Sequence, residues 1–402
     1  MILDILYIPL FIFLALQFPK LLLFDSEHIY YPILTKLILF HFVLGIAYFF
    51  ITNNYGGDAY GHWLLATRMD YAQFLSDISS GEGTAFMRAL NFIPANLLKM
   101  SYLSNTMFYS MLGSFGIIYF FLIAVRLVPY NTVINGYILF PSIFFLPNLH
   151  FWSAGVGKDT TLFLCIGMFV YGLMKPFQRM PLIAISMFLS MAIRPHVTLF
   201  LVVGFGLAYV LGGKVSPFQR FLFSAVMIGV GIAILPSVMQ FAKIEEVSVE
   251  GFDKFATAKA DALSGATAGS SVDISSYPFP LKVLTFWFRP FFFDVRNING
   301  LIASLENLVL VIVFVKAMRT NPIGAFKAAP FVIKGLVFFL IVGTLAFSQS
   351  LGNVGIMIRM RNMFLPGLII YLMWVFSYRQ FQIRSQKKQL KPQPDKSTDA
   401  YR

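Results

Sequence analysis

Four short segments of this chain carry residue types suited to handling a phosphate-bearing substrate. Gly56-Gly-Asp-Ala-Tyr-Gly-His-Trp63 holds Asp58 and His62. Gly155-Val-Gly-Lys-Asp-Thr160 holds Lys158 and Asp159, Arg194-Pro195-His196 comes next, and Arg359-Met-Arg361 lies near the end. Arg289 and Arg296 flank a run of aromatic residues, and Glu306 comes ten residues after Arg296. Guanidinium groups bind phosphate oxygens through two parallel hydrogen bonds, and a lysine acts as a point charge. A carboxylate such as Asp58 can take a proton from an attacking hydroxyl, with His62 as the second candidate base. Cations beside a departing phosphate stabilise the charge that develops on it.

Each segment also has a plainer explanation. Asp58 follows two glycines and suits a turn, and His62 beside Trp63 suits an interfacial position. Lys158 can pair with Asp159 while Asp159 or Thr160 caps a helix. The segment is not a nucleotide-binding loop: Trp152 stands where that motif needs its first glycine, and Asp159 where it needs Ser or Thr. What remains is a turn into a helix N-terminus, a setting that accepts anions. Arg289 and Arg296 can pair with Asp294, and Arg359 and Arg361 can snorkel. Glu306 falls two turns into an apolar run, where it is expected to face the protein interior and to support an arginine.

The elements that must position these residues are apolar. The chain has 402 residues, 58% hydrophobic and only 12% charged, against roughly 25% charged in soluble domains. No soluble core hides that much apolar surface, so lipid is its solvent. The expected fold is all-α, a polytopic transmembrane bundle of about eleven spans, at 2–19, 33–51, 107–128, 133–148, 160–174, 181–193, 196–211, 221–240, 299–316, 331–348 and 363–378. The first span holds Asp4 near its start and has neither a basic leader nor a cleavage site, so it is expected to be retained. Residues 1–378 form one membrane domain, and 379–402 a basic tail. Nucleic acid is not an expected partner, because the +13 charge is dispersed between apolar runs. The single Cys165 excludes an internal disulfide.

Lys175 with Arg179, Lys214 with Arg220, the group from Lys316 to Lys334, and the tail fall on one side of an eleven-span chain. Lys and Arg concentrate in cytoplasmic loops, so the N-terminus is expected outside and the C-terminus inside. Two long loops then lie outside, 52–106 and 241–298. The first includes an amphipathic piece from Thr84 to Met100, suited to the membrane surface. The second has a Gly/Ser/Ala-rich stretch from Ser264 to Ser276 and a Pro-broken aromatic segment up to Asp294. The candidate residues share that outer level, where charges are costly without a partner or ligand.

The chain resembles bacterial envelope-polysaccharide membrane enzymes, the GT-C-type glycosyltransferases and the O-antigen or exopolysaccharide polymerases. The matching blocks are the Gly-Asp-Ala-Tyr around Asp58, Phe151 to Asp159, Arg194-Pro-His196, Arg289-Pro-Phe with Glu306, and Asn353 to Arg361. The resemblance implies a glycosyltransferase of the bacterial cytoplasmic membrane acting on its outer face, with a polyprenyl-linked sugar as donor. It implies Asp58 as the acidic catalytic residue, and Arg194, Arg359 and Arg361 as holders of the lipid diphosphate. Lys158, His196, Arg289 and Arg296 extend that set. The chain lacks the paired acidic motif and the C-terminal soluble domain of many GT-C enzymes, and no acidic cluster suits a divalent metal. No cofactor is expected. The expected partners are the polyprenyl-linked glycan, membrane lipid and other envelope-glycan assembly proteins. Two other classes compete: a transporter of lipid-linked glycans, which needs charges through the depth of the bundle, and a non-catalytic assembly subunit.

Overall fold

In the computed structural model the described residues are all-α apart from one hairpin of two two-residue strands. It describes residues 2–80, 83–212, scattered positions between 217 and 236, 272, 274, 277–295 and 297–389. Arg296, the expected span 221–240 for the most part, the stretch from Ser264 to Ser276 almost entirely, and the end of the tail lie outside the described residues.

The helices are α1 (Ile2–Leu22), α2 (Tyr31–Tyr55), α3 (Asp58–Thr67), α4 (Tyr71–Ser80), α5 (Gly83–Asn91), α6 (Tyr102–Leu127), α7 (Leu139–Ser142), α8 (Pro147–Phe151) and α9 (Lys158–Leu173). They continue as α10 (Met180–Ile193), α11 (Pro195–Gly212), α12 (Phe279–Phe288), α13 (Ile298–Met318), α14 (Pro322–Ala328), α15 (Phe331–Ser350), α16 (Val354–Arg361) and α17 (Leu365–Gln389).

Six described helices are long and apolar enough to cross a membrane, and a seventh arises if α16 and α17, bent by 62° at their junction, form one broken span. This corrects the expectation of about eleven. The difference has physical causes. Residues 133–148 are not a helix: Asn135 and Gly136, both at positive φ, make the tight turn of a hairpin, and Pro141 and Pro147 break the chain beyond it. α9 and α10 have 16 and 14 residues, short of the roughly 20 that a full crossing needs. A parity argument built on eleven spans therefore does not fix the orientation.

Residues 139–157 instead thread the bundle interior in broken pieces, with Phe144, Leu149, His150, Ser153 and Ala154 inaccessible to solvent. Irregular backbone at this depth is tolerable only when protein surrounds it. Gly113 of α6 makes the close approach: a Cβ there would meet the Ser153 carbonyl oxygen at 1.7 Å. On the same side Ser110 donates to the Ala154 carbonyl at 2.8 Å.

Chain contacts sort the helix termini into two ends of the bundle. At one, Arg126 closing α6 meets Glu27, the Leu22 carbonyl closing α1 and Tyr171 near the end of α9. At the other, the termini of α2, α9, α10 and α16 meet beneath the short helices α3 to α5.

Candidate functional site

The site is built where α9 begins. Gly157, at φ +144°, turns the chain into that helix, so Lys158 and Asp159 are its first two residues. Asp159 is buried, at 8% exposure, and is the centre of the arrangement. Arg194, in the break between α10 and α11, reaches its Oδ1 from 3.1 Å. Arg359 of α16 bonds its Oδ2 through Nε. An isolated carboxylate here would be costly, and two guanidinium groups offset that cost. Arg194 also points Nη1 at the Met360 sulfur, 3.1 Å away. Its charge is thus committed to the interior.

Arg359 is shared. Its Nη1 lies 3.6 Å from Oδ2 of Asp58, whose side chain is 76% exposed at the start of α3. Lys158 donates to the Thr84 hydroxyl of α5 at 2.7 Å and feels the charges of Arg194, Asp58, Asp159 and Arg359. An ammonium carries three donors. Three cations, Lys158, Arg194 and Arg359, thus face two carboxylates, Asp58 and Asp159. The balance is positive, and the accessible members are Asp58, Lys158 and Arg359.

His62 stands one turn along α3 from Asp58, with 7% exposure. Burial, reinforced by the nearby Lys158, pushes its imidazole down to about 4. It is a neutral donor or acceptor at neutral pH. The overlying helices are tied together by Arg88 of α5, which grips Asp77 of α4 with Nε at 2.9 Å and Nη2 at 3.0 Å. That grip holds the Asp77 carboxyl below its ordinary range.

Two contributors carried no sequence signal of their own. Tyr48 of α2 lies against Gly155, where a Cβ would meet its ring at 2.1 Å, and it sits within reach of the charges of Arg359, Asp159 and Asp58. Thr84, in sequence merely the first residue of an amphipathic piece, is the partner of Lys158.

The other candidates lie elsewhere. Arg361, at 2% exposure, donates to the Trp287 carbonyl at 2.5 Å, the Arg289 carbonyl at 3.1 Å and Asn307 Oδ1 at 2.5 Å. It pins the C-terminus of α12, where helix carbonyls have no partner of their own. Arg289 is held in a two-bond grip on Asp294, at 2.9 and 2.7 Å. His196 packs edge-on against Phe200 and Phe347. Glu306 accepts from the backbone N–H of Asn148 at 2.7 Å and from its side-chain amide. Its neighbour Asn307, rather than Glu306, orients Arg361.

No group of three or more His, Cys, Asp or Glu suited to a metal occurs among the described residues. Comparison with protein-family models, curated proteins and solved structures returns no match.

Proposed function

We propose that this chain is a membrane glycosyltransferase or polysaccharide polymerase that takes sugar from a polyprenyl-phosphate or diphosphate donor. One observation carries the reading. An exposed carboxylate, Asp58, sits beside a cation, Arg359, whose position is fixed from behind by the buried Asp159, and Lys158 supplies a second cation at the same level. An acceptor hydroxyl gives its proton to Asp58 as its oxygen attacks the anomeric carbon. The bond from that carbon to the lipid phosphate oxygen breaks, and the electron pair leaves with the phosphate. Lys158 and Arg359 stabilise the resulting charge, and their fixed placement means little reorganisation during the step. Arg194 acts indirectly, by sharing Asp159.

The donor's lipid moiety would lie in the bilayer with its phosphate at the interface. The bundle's opposite end gathers Arg126, Lys175 and Arg179 around Phe24 and Tyr171. Cationic loops mark the cytoplasmic side, which would put the Asp58 end on the outer face of a bacterial cytoplasmic membrane.

A transporter reading draws support from polar groups deep in the bundle, the His41–His150 pair at 3.0 Å and Glu306. Against it, Glu306 and Arg361 are both engaged by neighbouring groups in place.

The Asp58→Asn variant tests the reading. Transfer from a polyprenyl-linked donor should fall by about 10²–10⁴-fold, the usual contribution of a general base, with expression and thermal stability unchanged. A fully active variant would remove Asp58 from the mechanism.

A further inference from the structure

An ammonium beside two carboxylates ordinarily closes onto one of them, and Lys158 does not. Asp58 acts on it from α3 and Asp159 from its own helix, together with the guanidinium groups of Arg194 and Arg359. The His62 imidazole also lies within reach of its charge. Among the described residues, however, the Lys158 ammonium makes no ion pair. Asp159 is taken by Arg194 and Arg359, and Asp58 faces Arg359 alone. The local pairing with Asp159 that the sequence allows does not form. The ammonium donates instead to a neutral group, the Thr84 hydroxyl at 2.7 Å. Of its three donors, that contact leaves two for a ligand.

Thr84 is held in place by the helix that carries it. It is the second residue of α5, whose Phe86, Met87, Ala89 and Asn91 are buried. The Phe86 ring meets Phe188 of α10 edge-on. Asn91 accepts a hydrogen bond from the Asn105 side chain of α6 at 2.8 Å, and Arg88 grips Asp77 of α4. Three other helices thus fix α5, and its first turn presents one hydroxyl to the start of α9. Thr84 itself is exposed, so its side chain contributes little to that anchoring. A hydroxyl holds an ammonium without neutralising it, which a carboxylate in the same place would not do.

We propose that Thr84 is a positioning residue that holds the Lys158 ammonium off Asp58, an inference that rests on the reading of Asp58 as the base and Lys158 as a phosphate ligand. Without the hydroxyl, the compensation open to Lys158 is Asp58, since both oxygens of Asp159 already face arginines. A Lys158–Asp58 pair would occupy the base and the cation together, and neither would be left for substrate. The separation also marks the titration of Lys158. Burial, with the Arg194 charge beside it, holds the ammonium below its ordinary value. A bond to a neutral hydroxyl leaves that depression in place, whereas an ion pair with Asp58 favours the charged form and offsets it.

The test measures undecaprenyl diphosphate binding to the full-length protein in nanodiscs, from neutral to alkaline pH. Thr84→Val keeps the shape of the side chain and removes the hydroxyl. It should weaken binding at neutral pH by about tenfold, as for loss of one charge-assisted hydrogen bond. It should also move the alkaline loss of binding to higher pH, because an ion-paired ammonium gives up its proton later. Thr84→Ala, which cannot crowd the site, should behave as Thr84→Val does, and Thr84→Ser should match the parent in both readouts. A purely structural threonine would change thermal stability and leave the alkaline limb where it is. The role is overturned if Thr84→Val and Thr84→Ala bind as the parent does, if their alkaline limb does not move, or if Thr84→Ser fails with them. Asp58→Asn separates this claim from the catalytic reading. If it abolishes transfer while the Thr84 variants bind as the parent does, the positioning role falls and the catalytic reading stands. If it transfers normally while Thr84→Val weakens binding and moves the limb, the catalytic reading falls and Thr84 still positions a phosphate-binding lysine.

Discussion

The two ends of the bundle hold ion clusters of similar composition and opposite completeness. At one end Arg126 holds both carboxylate oxygens of Glu27 with one edge of its guanidinium, at 2.8 and 2.7 Å, and donates further to Tyr171 and the Leu22 carbonyl, with Phe24 stacked 4.4 Å from it. Both side chains are 11% exposed. At the other end Arg359 and Arg194 converge on Asp159 from within, yet Asp58 stays 76% exposed at 3.6 Å from Arg359. A closed cluster fastens helices together. An open one, rigid behind and accessible in front, is what a ligand site requires.

Several measurements would break or sharpen that contrast. The largest effect is expected at the closed end, where Glu27→Ala leaves Arg126 without its carboxylate. Breaking a buried pair costs about 3–5 kcal/mol, which thermal unfolding in detergent should register as a large fall in midpoint. Asp159→Ala should approach that loss, since two arginines then face each other unneutralised. If it unfolds as the parent does, the buried anchor behind the site is wrong.

An intermediate effect comes from His62. Its ordinary value near 6.5 drops to about 4 in the fold, so below 6.5 the unfolded chain binds the extra proton first. Stability therefore falls as pH drops from about 6.5 toward 4, by about 2 kcal/mol at pH 5. Unfolding midpoints at pH 7 and pH 5 should differ more for the parent than for His62→Gln. The smallest effect belongs to the exposed pair. A double-mutant cycle on Asp58 and Arg359 should return less than about 1 kcal/mol of coupling. A value of several would make Asp58 a structural residue like Glu27.

Much of the open cluster was legible from sequence. Asp58, Lys158, Asp159, Arg194 and Arg359 come from four distant segments and meet as expected from charges gathered at apolar-run ends. Arg361 shows where such reading fails. Residues two apart on a helix point about 200° away from each other, so Arg359 and Arg361 on α16 could not share one target. Arg361 turned inward to the α12 carbonyls. Arg289 found a partner five residues on, in Asp294, a local pairing that the sequence allowed and that occupies the Nε–Nη2 edge of its guanidinium. Tyr48 lay hidden because nothing in an apolar helix marks which of its aromatics faces a glycine across the bundle. The span count failed for a related reason. Hydropathy sees an apolar run, but not that protein rather than lipid surrounds residues 139–157.

The most direct test of the central claim measures binding of undecaprenyl diphosphate to the purified full-length protein, comparing Lys158→Ala with Arg126→Lys. Lys158→Ala should weaken binding by about tenfold or more, the equivalent of one charge-assisted hydrogen bond, while Arg126→Lys leaves it unchanged. Equal affinity in the parent and Lys158→Ala, or a larger loss in Arg126→Lys, would contradict the assignment of the open end as the phosphate site.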